Sequence, residues 1–173
     1  MEKNKQGFKL GSWWKWEQWR DGKLIDTWEN GNIVTNEGLD AILDIMFHGS
    51  AQITPWYIAL FEDNHTPAAG DTYAVPGYTE STAYSEANRV VYNEAAASSQ
   101  SITNSANKAS FSINATKTIY GAALVGGGTN PSVKSDTASG GTLFNSSQFS
   151  GGAKSVENGD TLKVTITINA ADA

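Results

Sequence analysis

The side chains best suited to acid–base or metal chemistry are few in this chain of 173 residues. It has two histidines, His48 and His65, and no cysteine. His48 ends an apolar-periodic stretch, where a donor side chain complements the carbonyls that close a helix. His65 lies in the turn-like DNHTP. Neither has a companion at metal-binding spacing. Glu80, Glu86 and Glu94 could converge as the paired carboxylates of glycoside hydrolysis, but solvated rim residues are the plainer reading. Asp63, Asn64 and Asp71 offer oxygens that suit calcium, without the spacing of an EF-hand loop. After Gly126, Gly127 and Gly128 comes no Lys-Ser or Lys-Thr pair, so that run is no phosphate cradle. GxSxG and HExxH are absent. These residues predict no catalytic group, no metal ligand and no cofactor, hence a protein that is not an enzyme.

A different chemistry stands out in SWWKWEQW. Residues 12 to 19 hold four of the six tryptophans. Indole is a large apolar plate with one donor, suited to adhesion rather than to bond making. In a strand, Trp14 and Trp16 share one face and Trp13 points the other way. If both faces are apolar, both need cover. In one reading Trp14, Trp16 and Trp28 fill a core of the chain's own. In the other, the ribbon is sheltered by another protein. Burying each such ring is worth roughly 1.5–3 kcal/mol, and clusters left in water promote association. The second reading places Trp13, Trp14, Trp16, Trp19 and Trp28 at a partner interface, with Lys15 and Arg20 meeting an acidic partner surface. Stacking on sugars is a further option for such rings. Binding at a membrane surface would need a long amphipathic helix that is missing.

The elements that must carry these residues are mostly strands. Asp21-Gly22 and Asn30-Gly31 are hairpin turn signals, so residues 12 to 35 read as a three-stranded meander behind a flexible lead-in over residues 1 to 11. Thr35 and Asn36 supply capping oxygens for a helix over about residues 36 to 48. Leu39, Ile42, Leu43, Met46 and Phe47 recur on one helical face, and Gly49 stops it. That face is expected to pack on a sheet. ITPWYIALFE reads as a central strand, with Trp56, Ile58 and Leu60 on one side and Tyr57, Ala59 and Phe61 on the other. Residues 63 to 88 show no period and read as a long ordered loop. RVVYNE, KASFSINA, TIYGAALV, TLFNSSQF and TLKVTITINA read as further strands, the last alternating most cleanly. The expected fold is mainly β: a β-sandwich or jelly-roll-like domain with one short amphipathic helix. Two parts are expected, a Trp-rich arm and meander over residues 1–35 and the sandwich over residues 36–173.

Charge narrows the partners. The formal net charge is −6, and only 17% of residues are charged. Neutralising phosphates takes clustered Lys and Arg, so nucleic acid is an unsuitable partner. Lys3, Lys5, Lys9, Lys15, Arg20 and Lys23 nevertheless gather at one end, which makes a basic, Trp-rich head on an acidic body. No apolar run follows the first lysines as in a secretory leader, and no stretch is long enough to span a bilayer. The expectation is a chain made and folded in a cytosol, with no membrane partner.

Three runs carry a family resemblance: NGNIVTNEGLDAILDIMFHG, TPWYIALFEDNHTPAAGDTYAVPGYTESTAYSEANRVVY and KASFSINATKTIYGAALVG. Over roughly residues 31 to 170 the chain resembles small structural proteins of tailed bacteriophages, of the head-decoration or capsid-cement type. The shared features are packing and turn motifs: Asn-Glu-Gly-Leu, Trp-Tyr-Ile-Ala-Leu-Phe, Thr-Ala-Tyr with a following Arg, and Thr-Ile-Tyr-Gly-Ala. The resemblance implies a non-enzymatic virion component made in the host bacterial cytoplasm. It would bind the major capsid protein on the outer capsid surface, as a homo-oligomer and typically a trimer. A tail, fibre or baseplate part and a carbohydrate-binding module are the alternative readings.

Overall fold

The computed structural model describes residues 7 to 172. Lys3, Lys5 and half of the expected lead-in lie outside them. The chain is mainly β, as its alternating sequence requires, and the described residues form two five-stranded antiparallel sheets and one helix. In the first sheet, β1 (Phe8–Arg20) lies between β2 (Lys23–Asn30) and β12 (Thr161–Asp172). The far side of β12 pairs with β6 (Ser101–Thr103) along one part and with β7 (Ala109–Ser112) along another. The second sheet runs β3 (Ile33–Val34), β10 (Thr142–Gln148), β9 (Gly121–Gly126), β4 (Trp56–Phe61), β5 (Val90–Tyr92). A separate pair joins β8 (Lys117–Ile119) to β11 (Lys154–Val156).

The spine is the pairing of β1 with β12, continuous from Phe8↔Asp172 to Trp19↔Thr161. It corrects two expectations. Residues 8 to 20 are not an arm apart from the sandwich, because β1 lies inside its first sheet. Nor do residues 12 to 35 form a three-stranded meander. The Asp21-Gly22 turn makes the β1–β2 hairpin, with Asp21 and Gly22 both at positive φ. The chain then crosses to the other sheet, where β3 pairs with β10. Asn30-Gly31 is therefore a crossover between layers rather than a hairpin turn.

The two sheets share one core because their inward faces alternate as the sequence indicates. Leu162, Val164 and Ile166 of β12 and Phe111 of β7 are fully enclosed against Ile58 and Leu60 of β4 and Leu124 of β9. β4 is covered on both sides. Ile58 and Leu60 face the main core, while Ala59 joins a smaller cluster with Tyr73, Ala123, Val125 and Leu143. The loop over residues 63 to 88 supplies that second cover. Tyr73 belongs to the cluster, Tyr78 packs against it, and Tyr78 stacks on Phe61 at 4.9 Å. Arg89 pins this loop to residues 131–136. Its Nη1 donates to Tyr73 Oη and to the Pro131 carbonyl, and its Nη2 donates to the Asp136 carbonyl. The same guanidinium grips Glu80, and both side chains are at least 96% buried. TIYGAALV is divided between sheets: β8 and β9 part at Tyr120. At Gly121 a Cβ would lie 2.2 Å from the Phe61 ring and 2.3 Å from the Ser147 carbonyl, so only glycine lets the chain pass there.

Helix α1 (Asn36–Phe47) begins as expected, with the Thr35 hydroxyl accepting from Gly38 N–H at 2.9 Å. Thr35 also donates to the Leu143 carbonyl, which ties the helix start to β10. The Glu37 carboxylate accepts from the backbone N–H groups of Tyr73 and Leu143. Gly38 lies so close to β10 that a Cβ would meet the Phe144 carbonyl at 2.4 Å. The helix is thus welded at its first turn. Its orientation differs from the expected one. Gly38, Ala41, Ile42 and Ile45 point inward, over an apolar hollow of about 280 Å³ also lined by Trp56 and Phe144. Leu39, Leu43 and Phe47 face outward, exposed by 40, 55 and 82%, and Met46, 66% exposed, stands at the rim of the hollow. At 100° per residue the apolar positions of α1 span about two thirds of its circumference. That is more than one sandwich edge can cover.

Candidate functional site

The indole ribbon divides by strand parity. Ser12, Trp14, Trp16 and Gln18 point into the sandwich, while Trp13, Lys15, Glu17 and Trp19 point away from it. Trp28 of β2 stands directly across from Trp16. The three inward indoles form a ladder: Trp14 to Trp16 and Trp16 to Trp28 each stack at 6.0 Å between ring centroids. Phe149 meets Trp16 and Trp28 edge-on at 5.2 and 5.1 Å, and Lys154 Nζ sits 4.8 Å over the Trp28 ring. Such offset and edge-on geometries are the favourable ones for aromatic quadrupoles. Trp14 and Trp16 are 0% exposed and Trp28 is 9% exposed.

The partner assignment of Trp14, Trp16 and Trp28 is therefore corrected: these rings are consumed by the chain's own core. Arg20 is corrected too. Its Nε and Nη2 donate to the two Asp160 carboxylate oxygens at 2.7 and 2.9 Å, and Nη1 lies 2.9 Å from Glu157. Asp160, itself buried, also accepts from the Gln18 amide and the Glu157 N–H. The Arg20 hydrogen bonds, against a burial cost, hold its pKa down at about 2. Arg20 fastens the end of β1 to the turn before β12 instead of reaching out.

What remains of the predicted interface lies on the outer face of the first sheet. Trp13 is 49% exposed and donates from Nε1 to Glu29 at 2.9 Å. Lys15 is exposed and stands 3.5 Å from the same carboxylate. Trp19 is half-buried, with Lys163 Nζ 4.9 Å over its ring and Leu24 across from it on β2. Lys108 pairs with Glu17 on this face. The face presents aromatic rings among lysines. The second exposed apolar surface, the outer side of α1, was missed by the sequence reading. Its signal was present in the width of the helix's apolar arc.

Of the residues considered for catalysis and metal binding, the structure brings His65 and Asp71 together. His48 is the C-cap residue of α1, but its backbone N–H, rather than its exposed ring, donates to the Asp44 carbonyl. His65 Nε2 lies 2.7 Å from Asp71, which also accepts from the Ala68 N–H. This pair braces the loop, and Gly77 packs against the His65 ring. Glu80 is occupied by Arg89, Glu86 accepts from the Ser112 N–H, and Glu94 borders the hollow beneath α1. Asp63 and Asn64 accept from the Thr79 N–H and the Gln148 amide. Among the described residues no three of His, Asp and Glu are grouped to hold a metal ion. No helix among them is long and apolar enough to cross a membrane. No protein-family model matches the chain, and no curated protein matches it.

Proposed function

We propose that the protein is a structural component of a tailed-bacteriophage virion, a capsid decoration protein. In this reading it binds the outer surface of the major capsid protein lattice as an oligomer, typically a trimer, and stabilises the head. The mechanism is mechanical. Apolar area covered at seams between subunits raises the free energy of opening the shell, and closed symmetry repeats each contact around the module.

The observation that carries the reading is the exposed apolar stripe of α1, with Phe47 82% and Met46 66% in water. Contiguous apolar surface of this kind on a chain with a closed core marks a protein–protein contact. Trp13 and Lys15 on the outer sheet face add a second such surface. The family resemblance supplies the particle, and the ten-stranded sandwich supplies a rigid body to present these faces. Titration of purified protein onto phage heads lacking it tests the reading. Saturation at hundreds of copies per head is expected. Binding confined to a dozen or fewer copies at the tail would assign it there instead.

A further inference from the structure

The two exposed apolar surfaces carry opposite charge. On the outer face of the first sheet, Lys9, Lys15, Lys108 and Lys163 stand against Glu17 and Glu29, so cations are in excess around Trp13, Trp19 and Leu24. On α1, Asp40 and Asp44 run one turn apart beside Leu39, Leu43, Met46 and Phe47, and the helix contains no Lys or Arg. Both carboxylates are exposed, and among the described residues neither takes part in an ion pair.

We propose that these faces bind each other between copies of this chain: the α1 stripe of one copy docks on the outer face of the first sheet of the next. Three physical points select this arrangement. Large apolar side chains occupy both faces, so docking removes them from water on both sides. Charge complementarity favours unlike faces, because Asp40 and Asp44 would meet Lys9, Lys15 and Lys163. A twofold contact of α1 with α1 would instead set Asp40 and Asp44 against their own copies, and like charges brought together oppose binding. The contact is therefore heterologous. Each copy donates one face and accepts with the other, which produces a closed ring where the rotation closes and an open chain where it does not. This deepens the assembly reading above and rests on it only in that copies associate. It is tested on the free chain, so failure to bind heads leaves it standing.

The experiment is a charge swap read by sedimentation velocity at low ionic strength. One variant carries Asp40→Lys and Asp44→Lys, the other Lys9→Glu and Lys15→Glu. All four positions are exposed, and thermal unfolding confirms that each variant is folded. Wild type is expected to sediment as an assembly that weakens as salt is added. Each variant alone is expected to be monomeric, because its two faces then carry the same sign. An equimolar mixture is expected to regain association, since each face again finds its opposite. Phe47→Ser, which leaves every charge in place, is expected to weaken wild-type association at least about tenfold, a change of about 1.4 kcal/mol. Should either double variant fail to fold, the Phe47→Ser result decides. A monomeric wild type, a mixture that stays monomeric, or an assembly indifferent to Phe47→Ser would overturn the proposal.

Discussion

Strand parity decides what each tryptophan does, and stability measurements should separate the two sets. Trp16 touches Trp14, Trp28 and Phe149 inside the core. Trp16→Ala is expected to cost about 3–5 kcal/mol, by transfer and cavity terms together. Trp13→Ala removes a ring that is half in water and is expected to cost under about 1 kcal/mol. Urea unfolding at low protein concentration checks both, and equal costs would contradict the assignment. Among the described residues neither Trp16 Nε1 nor Trp28 Nε1 has a hydrogen-bond partner. Trp16→Phe is thus expected to be far milder than Trp16→Ala, since it deletes an unsatisfied donor along with part of the ring. Asp160 sets an acid dependence. Its pKa of about 2 lies below the ordinary carboxylate value of roughly 3.9. The unfolded state therefore binds the proton first on acidification. The stabilisation is complete above the unfolded pKa and is lost as pH falls through the folded one. Asp160→Asn is expected to lower stability at pH 7 by about 2 kcal/mol and to flatten the fall in urea midpoint between pH 4 and pH 2. An unchanged acid profile would remove Asp160 from this role.

At the scale of elements, the weld between α1 and β10 yields a result opposed to helix propensity. Gly38→Ala would favour an isolated helix by up to about 1 kcal/mol. Here the added Cβ meets backbone, the Phe144 carbonyl at 2.4 Å. A net loss of about 1–3 kcal/mol is expected, and a stabilised variant in thermal unfolding would show that the close approach is not made. Which elements the sequence revealed follows from how strongly each repeats. β12 alternates over more than six residues and β4 is an unbroken apolar run of six, so the faces of the first and the two-sided cover of the second were legible. The start of α1 was legible through Thr35, and its end through His48 and Gly49. β6 and β11 are three residues each, too short for a period to emerge, and Asn30-Gly31 reads as a hairpin turn in isolation. Parity separated Trp13 from Trp14 and Trp16, but composition could not say which side faced inward. That side is set by β12, more than a hundred residues away, whose Val164 and Ile166 share the inward face with Trp16 and Trp14. The outward half of α1 was read as buried because periodicity reports the width of an apolar face and not the area available to cover it.

For the whole molecule, the sandwich encloses its aromatic ladder and still leaves two apolar surfaces of opposite charge in water. In the proposed reading, a particle component that joins repeated subunits uses such surfaces, while His65, Glu80 and Glu86 are held in hydrogen bonds within the fold. The most direct measurement is electron cryomicroscopy of phage heads reconstituted with the protein and of heads without it. The account predicts additional density on the outer shell that fits the two-sheet body, with α1 and the Trp13 face in contact with neighbouring subunits and the Trp14–Trp16–Trp28 ladder internal. Heads with no added density, or bound copies whose α1 and Trp13 face both stand free in solvent, would contradict it.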